Sequence, residues 1–417
     1  MYPNITWQKD FTQDSYYIIM SNVLKHLTKL RQDIHFTVLT PKLMPNFQFD
    51  NVEQVIYDVP RHPNEMRHGF DTKQLRGITN YTYLPEHALQ LKNHFYNITN
   101  TRPVFFGYSA YLEIPKTTPY EKSVLRNHYA GLMELNSCGV NSQATKDTVM
   151  KYAPTCLNNE DVEKLDSILE PLPRGWDNVY GERKTPNKGD KIIVWNHRPD
   201  GYKGYPWFLS MMDELRKKRQ DFKVWVPLAT SPDRDYIYVD GFDREGYFTE
   251  LSGCWVGVCG QSQHTGWANS ASDGMSVGVP YIFYDADYYE QYAKNAGIYY
   301  KTDEDFLYSI NNILNKENVR NRYSKRSTKL GKENSWNKII KLYNDHFVRA
   351  EKEFKIVSET DTYKRIVDYI HKHRYVTKFD LVNHLKWGKG IPFHHYRNRL
   401  RNEPTIKLTK NGYGVKK

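Results

Sequence analysis

Residues 195–209, WNHRPDGYKGYPWFL, combine three basic side chains with the end of one predicted element and the start of the next. His197, Arg198 and Lys203 lie between a predicted strand that ends at Asn196 and a predicted helix. The carboxyl ends of parallel strands line the ligand crevice of open α/β sheets. An arginine fork, a lysine point charge and a helix N-terminus are groups that bind a diphosphate. The stretch therefore predicts a diphosphate-binding loop, with a solvated basic loop as the alternative.

Residues 263–280, QHTGWANSASDGMSVGVP, place a single acid in an otherwise neutral stretch. Small residues around Asp273 predict a helix that packs closely against a sheet, and Gly278 and Pro280 end it before a buried strand. A carboxylate at this place can accept two sugar hydroxyls, as ribose-binding acids do. The alternative is an acid near the helix N-terminus that the helix dipole stabilises.

The first half of the chain offers three acids as catalytic candidates. The stretch FFGYSAYLEIP (105–115) contains Glu113, with Tyr108 as a second polar candidate. Asp10 and Asp14, in the loop KDFTQDS, are alternatives to Glu113. A carboxylate can take the proton of an attacking hydroxyl group. The alternative for each of these acids is a helix cap or a solvated surface position, where such acids more often occur.

Residues 60–83 form a long basic stretch with little hydrophobic periodicity. Arg67 and Arg76 are two of its cations, and aromatic side chains are interleaved with them. This combination suits a phosphate backbone and an unstacked base. A mobile, solvated loop is the alternative.

A second basic segment lies near the C-terminus, where IPFHHYRNRLRN (391–402) predicts a helix. Arg397, Asn398 and Arg401 fall on overlapping faces of this helix, and Lys410 follows in a predicted hairpin around Asn411-Gly412. Helix-turn-helix modules insert such a helix into the major groove of DNA. A winged helix that binds protein is the alternative.

Alternating strands and helices must position these residues, and they occur in two successive halves. This alternation predicts doubly wound parallel sheets. In the first half we predict a helix over 17–31, strands over 35–41 and 52–60, a helix over 85–99, a strand over 103–107, and a strand, turn and helix over 137–153. In the second half we predict a strand over 191–196, a helix over 205–219, a strand over 222–228, a helix and strand over 247–260, a helix, turn and strand over 270–285, and a helix over 303–314.

The tail differs in kind from these two halves. Three short helices (361–373, 378–387 and 391–402) and a hairpin (406–417) predict a winged helix-turn-helix. The predicted organisation is therefore a Rossmann-like lobe over 1–170, a linker over 171–190, a second lobe over 191–330, a helical crossover and linker over 331–358, and a nucleic-acid-binding domain over 359–417.

Composition narrows the class of protein. Residues 359–417 carry nine of the eleven net positive charges, which indicates an anion-seeking module attached to a nearly neutral body. No apolar stretch approaches the roughly 18 residues of a membrane-spanning helix, so no membrane partner is expected. Four cysteines in 417 residues do not form a disulfide framework or a zinc site, and they favour a reduced, cytoplasmic setting.

Taken together, the two motifs of the second half resemble the GT-B-type nucleotide-sugar glycosyltransferases, specifically the retaining glycosyltransferase family 4. Arg198 and Lys203 match the Arg and Lys of that family that grip the donor diphosphate. Asp273, Gly274 and Met275 match its second acid and the following Ala-Met, with Asp in place of Glu. The position of the first acid falls on Thr265, preceded by His264.

The resemblance implies a fold, a reaction and a donor. The fold is α/β, with two GT-B-like Rossmann-type lobes around a central cleft. The donor is a nucleotide sugar, most simply a UDP-sugar, and no cofactor or metal is required. His264, Thr265, Asp273, Gly274 and Met275 are then donor sugar or ribose contacts, and His197 joins the diphosphate set.

A body of this kind with a basic winged helix looks like the bacteriophage enzymes that glycosylate 5-hydroxymethylpyrimidines in double-stranded DNA. The sequence WNHR also resembles the transferases that glycosylate queuosine in tRNA. The second hypothesis is a glycosyltransferase with a polysaccharide, lipid or protein acceptor, whose tail binds a partner. A DNA-binding regulator that senses a nucleotide sugar would share the same combination of a sugar-nucleotide site and a basic tail.

Overall fold

The structure, a computed structural model, describes residues 15–40, 43–44, 47–56, 80–83, 104–109, 112–113, 119–176, 184–186, 188–231, 234–261, 264–265, 267–355, 361–377, 380, 405–408 and 412–415. The predicted helices over 85–99 and 391–402 lie outside these residues, and so does the predicted helix over 378–387 apart from Asp380.

The first lobe is built on parallel strands, as its apolar, β-branched segments predict. Four strands form a sheet in the order β3–β4–β6–β7, and β1 pairs with β2. Ser142 caps α3, because its Oγ accepts a hydrogen bond from the Thr145 backbone N–H at 3.0 Å. The elements are α1 (Ser15–Leu30), β1 (Phe36–Thr40), β2 (Val52–Ile56), β3 (Asn80–Tyr83), β4 (Val104–Ser109), β5 (Leu112–Glu113), α2 (Pro119–Met133), β6 (Ser137–Val140), α3 (Gln143–Tyr152), α4 (Asn159–Ile168) and β7 (Leu169–Pro171).

The second lobe is a six-stranded, all-parallel sheet with buried apolar clusters on both faces. Its elements are β8 (Lys191–Val194), α5 (Tyr205–Lys218), β9 (Phe222–Trp225), β10 (Ile237–Tyr238), α6 (Arg244–Ser252), β11 (Val256–Cys259), β12 (His264–Thr265), α7 (Asn269–Ser276), β13 (Tyr281–Tyr284), α8 (Asp287–Ala293), β14 (Gly297–Tyr300) and α9 (Asp303–Asn315). The strand order is β10–β9–β8–β11–β13–β14, and all pairings are parallel. This is the Rossmann order, which reverses between β8 and β11 and leaves a ligand crevice at the carboxyl ends of these two strands.

Two segments connect the lobes and lie side by side. The first is residues 172–176, which open the predicted linker and are named the crossing segment here. The second joins α10 (Glu317–Glu333) to α11 (Trp336–Lys355). The Trp176 backbone N–H donates a hydrogen bond to the Asn334 carbonyl at 2.7 Å. Trp336, at the start of α11, then packs against apolar residues of α1, so the chain returns to the first lobe.

The helix α10 was not predicted, because its sequence ENVRNRYSKRSTKLGKE has almost no apolar residues. Its buried face instead uses small or polar side chains together with one leucine: Arg320, Ser327, Leu330 and Gly331. Hydrophobic periodicity, which is the main sequence signal for a helix, is therefore missing here.

The tail contains α12 (Asp361–His373) and the strands β15 (Tyr375–Thr377), β16 (Ile406–Leu408) and β17 (Gly412–Val415). The predicted helix over 361–373 is confirmed, and so is the antiparallel hairpin of β16 and β17. The strand β15 was not predicted, and it pairs antiparallel with β17, which gives the sheet order β15–β17–β16.

The Tyr281 ring fills the space beside two glycines of the second lobe. An added Cβ at Gly257 or at Gly274 would lie 2.3 Å from atoms of this ring. The ring itself has no exposed surface, and its hydroxyl donates a hydrogen bond to Asn196 Oδ1 at 2.9 Å. The ring therefore has no room to move aside for a larger residue at either glycine.

We expect Gly257→Ala to lower the free energy of unfolding by about 1–3 kcal/mol, because overpacking forces the core apart. Urea denaturation followed by circular dichroism measures this change. Gly241→Ala is the matched control, since an added Cβ there meets no atom within 4 Å. A Gly257→Ala variant as stable as the control would contradict the close packing of the Tyr281 ring against Gly257. Adding Tyr281→Leu to the Gly257→Ala variant should recover part of the lost stability.

Candidate functional site

The end of β8 and the start of α7 meet at the switch point of the sheet, and the buried amide of Asn196 joins them. Its Nδ2 donates to the Ser270 carbonyl and to the Tyr247 hydroxyl, each at 2.8 Å. Its Oδ1 accepts from the Tyr281 hydroxyl at 2.9 Å. Because buried amides are stable only with their hydrogen bonds made, this network fixes the residues that follow Asn196.

His197 is buried behind the predicted diphosphate loop. Its Nδ1 lies 2.8 Å from Ser270 Oγ, and its Nε2 lies 3.1 Å from Cys259 Sγ. Burial, and secondarily the Lys203 cation, lower the pKa of His197 to about 3. The imidazole is therefore neutral near pH 7, and in the structure it packs the loop rather than adding a positive charge to it.

Arg198 and Lys203 surround the ring of Tyr202. Arg198 is half exposed, donates a hydrogen bond to the Tyr202 hydroxyl, and lies 3.7 Å from an Asp200 carboxylate oxygen. The Lys203 Nζ lies 5.1 Å from the centre of the same ring. Burial, and secondarily the Arg198 cation, lower the pKa of Lys203 to about 8. Two cations thus lie close together just before α5, and an anion between them would relieve their repulsion.

Asp273 lies in the middle of α7, and its side chain is only 10% exposed. Its Oδ1 is 3.5 Å from Arg174 Nη2 and 3.8 Å from Arg244 Nη2. The alternative of an acid near the helix N-terminus is wrong, because Asp273 lies beyond the first turn of α7. Gly274 and Met275, which were predicted as sugar or ribose contacts, both lie in the core of the lobe, where Met275 has no exposed surface.

The structure brings Glu113 together with two residues predicted from the other lobe. The short strands β5 and β12 pair antiparallel, with His264 opposite Glu113 and Thr265 opposite Leu112. This pairing joins the lobes by backbone hydrogen bonds. A catalytic candidate and the two sugar-site candidates therefore occupy one two-stranded ladder.

The other predicted site residues lie outside the described part of the chain. These are Asp10, Asp14, Arg67, Arg76, Arg397, Asn398, Arg401 and Lys410. Sequence reasoning also missed Arg174 and Arg244, because no local pattern connects either of them to Asp273. Within the described ranges there is no cluster of three His, Cys, Asp or Glu residues that could hold a metal ion. No helix in those ranges is long and apolar enough to cross a membrane.

Comparison with known proteins identifies the fold. No protein-family model matches the chain, and no curated protein matches it in sequence. Sucrose-phosphate synthase from Thermosynechococcus elongatus is similar in structure, with a TM-score of 0.62 and 13% identity over 81% of this chain and 94% of its own. The HepE protein of Anabaena, in complex with UDP and glucose, has a TM-score of 0.58 and 9% identity over 79% of this chain and 95% of its own.

The TarM structure matches less well, with a TM-score of 0.49 and 11% identity over 64% of this chain, and this chain spans about half (54%) of the TarM length. At such identities the similarity to the first two structures shows the fold alone. The expected GT-B-like arrangement of two Rossmann-type lobes is confirmed. The winged-helix assignment of the tail stays a prediction.

If the loop with Arg198 and Lys203 binds a diphosphate as predicted, the affinity for a probe such as UDP should decrease as the pH rises above about 8. Lys203 attracts an anion only when it is protonated, and its lowered pKa makes it neutral above that pH. The decrease should approach about tenfold per pH unit if the neutral form does not bind. Titration calorimetry between pH 7 and 9.5 measures it. Lys203→Arg is the control, because a guanidinium stays charged; equal wild-type affinities at pH 7 and 9.5 would contradict this role.

Proposed function

We propose that the chain is a glycosyltransferase that uses a UDP-sugar donor. The observation that carries the proposal is the pair of cations, Arg198 and Lys203, at the switch point of a GT-B fold. A diphosphate placed there would meet both charges beside the start of α5. The HepE structure of the same fold is a complex with UDP and glucose, which supports this class of donor.

In the proposed reaction the acceptor hydroxyl attacks C1 of the sugar while the bond between C1 and the diphosphate oxygen breaks. Arg198 and Lys203 stabilise the charge that grows on the departing UDP. The acceptor proton passes to a carboxylate or to the departing phosphate. Glu113 is the preferred carboxylate because its strand pairs with the one that carries His264 and Thr265. Asp10 and Asp14 remain alternatives, and retention at C1 is part of the proposal.

Asp273 is proposed to accept the two hydroxyls of the donor ribose. Its side chain is 10% exposed, and its Oδ1 lies beside the guanidinium groups of Arg174 and Arg244. No cofactor beyond the donor is proposed. The reaction would take place in the cytoplasm.

The proposed acceptor is the hydroxymethyl group of a modified pyrimidine in double-stranded DNA. The tail supports it, because residues 359–417 carry nine of the eleven net positive charges. In the described part of the tail, a helix is followed by a three-stranded antiparallel sheet, an arrangement compatible with a winged helix. A base must leave the helix stack to reach a site between two lobes, so base flipping is implied.

Nucleoside mass spectrometry tests the proposal. The full chain is incubated with hydroxymethylated DNA, with plain DNA and with tRNA, each in the presence of a panel of UDP-sugars. A mass increase of one sugar on the hydroxymethylated nucleoside is expected. Transfer to tRNA alone would mean that tRNA, and not DNA, is the acceptor. Binding of a sugar nucleotide without hydrolysis or transfer would instead favour a regulator.

We expect Arg198→Ala and Lys203→Ala each to reduce kcat/KM for the donor. The reduction should correspond to a loss of about 2–4 kcal/mol of transition-state stabilisation, typical of a deleted charge-stabilising group. The cause is the loss of a cation beside the departing diphosphate. Lys217→Ala is the matched control, since this exposed lysine lies in the last turn of α5. A double variant of Arg198 and Lys203 with normal turnover would remove the diphosphate assignment.

We expect deletion of residues 359–417 to weaken binding to long duplex DNA and to flatten its salt dependence. Each lost phosphate contact should reduce the log–log salt slope by about 0.9. Donor hydrolysis should persist, because the deletion removes none of the proposed donor contacts. Full-length Arg397→Ala and Arg401→Ala variants should show part of the same loss in the same filter-binding assay. An unchanged salt slope after deletion would mean that the tail does not bind DNA. The loop over 60–83 would then be the better candidate for acceptor binding.

A further inference from the structure

Arg174 lies in the crossing segment and is almost completely buried, with 1% of its side chain exposed. Its neighbours in the chain are fixed on both sides. The Leu172 backbone N–H donates to the Val140 carbonyl at 2.7 Å, and the Trp176 ring stacks on Trp267 with 5.7 Å between centroids. The backbone that carries Arg174 is therefore tied to the first lobe at one end and to the second lobe at the other.

The guanidinium of Arg174 is incompletely satisfied. Among the residues that the structure describes, none of its three nitrogens has a hydrogen-bond partner. Its ion pair with Asp273 Oδ1, at 3.5 Å from Nη2, is longer than the roughly 2.7–2.9 Å of a charge-assisted hydrogen bond. A buried cation with unmet donors lowers stability, unless a nearby anion compensates. Asp273 is the carboxylate with which the structure pairs it.

Asp273 lies between two arginines that differ in exposure. The Arg244 side chain is 31% exposed and projects from α6, whereas Arg174 approaches from the buried crossing segment. Burial, and secondarily the Asp273 charge, raise the pKa of Tyr247, so this neighbouring hydroxyl keeps its proton. A carboxylate with a guanidinium group on each of two elements beside it is restricted in orientation. Arg244 lies on the accessible side of this arrangement, and Arg174 lies on the buried side.

We propose that Arg174 is a positioning residue for the donor, which acts by orienting the Asp273 carboxylate toward the ribose hydroxyls. The inference rests on the proposed function, in which Asp273 is the ribose-binding acid. It also connects the ribose contact to the segment that joins the lobes. Because ribose contacts persist from the bound substrate to the transition state, losing Arg174 affects donor affinity more than turnover.

The test compares Arg174→Met with Arg320→Met in the full chain. Arg320 is the matched control, since it is also buried in the second lobe, where its Nη2 donates to the Cys254 carbonyl at 3.4 Å. Calorimetry with UDP, 2′-deoxy-UDP and pyrophosphate separates the ribose from the diphosphate. We expect Arg174→Met to weaken UDP binding and raise the donor KM by about tenfold or more, with kcat changed by less than about threefold.

Three further results are expected from the same mechanism. The loss caused by Arg174→Met is smaller for 2′-deoxy-UDP, which lacks one hydroxyl, and absent for pyrophosphate. Arg174→Lys, which keeps the charge, recovers part of the UDP affinity. In an Asp273→Asn background, Arg174→Met causes little further loss, because the carboxylate that it orients is gone. Arg320→Met lowers thermal stability but leaves UDP affinity unchanged.

Several outcomes would overturn the inference. The positioning role of Arg174 is ruled out if Arg174→Met binds UDP with wild-type affinity. It is also ruled out if the variant loses affinity for UDP and for pyrophosphate to the same extent. If Arg174→Met does not fold, Arg174→Lys is measured instead. An equal loss of affinity for pyrophosphate and for UDP in that variant would also overturn the positioning role of Arg174. A wild-type chain that binds no UDP overturns the proposed function itself, and this result is distinct because no variant is needed to see it.

Discussion

The side-chain amide of Asn196 holds together the elements that meet at the switch point of the second sheet. It lies just beyond the end of β8 and reaches the first turn of α7, the hydroxyl of Tyr247 on α6 and the hydroxyl of Tyr281 on β13. The amide is buried, so a lost partner would leave a polar group without water, at a cost of about 1–3 kcal/mol. The loop with Arg198 and Lys203 starts from this fixed point, and so does the helix that carries Asp273.

The lobes are connected by more than their two covalent crossings. The Ala144 backbone N–H, in the first turn of α3, donates to Gln291 Oε1 at 2.7 Å, and the Tyr292 hydroxyl donates to Asn141. Together with the β5–β12 ladder, these bonds join the first lobe to the second on the side of the crevice. Such interfaces between lobes of a chain are usually small and open readily. In the described part of the chain the two lobes are therefore in direct contact beside the crevice.

The sequence predicts the parallel sheets well, because buried parallel strands are short apolar runs and their helices have a clear apolar face. It also places Arg198 and Lys203 correctly at a strand end, since that relation is local. It does not predict α10, whose buried face includes Arg320 and Ser327. Nor does it predict that Arg174 pairs with Asp273, because that contact depends on how the crossing segment packs after both lobes have formed.

The stacked pair of Trp176 and Trp267 gives the molecule a built-in optical reporter. The rings are nearly parallel, with 7° between their planes, and each lies at a different part of the junction: Trp176 in the crossing segment and Trp267 just before α7. Two indoles at this distance couple electronically, and the coupling contributes to the aromatic circular dichroism when their transition dipoles are not parallel. Both rings lie in the apolar cluster of the second lobe, so the coupling reports whether the crossing segment stays docked on that lobe.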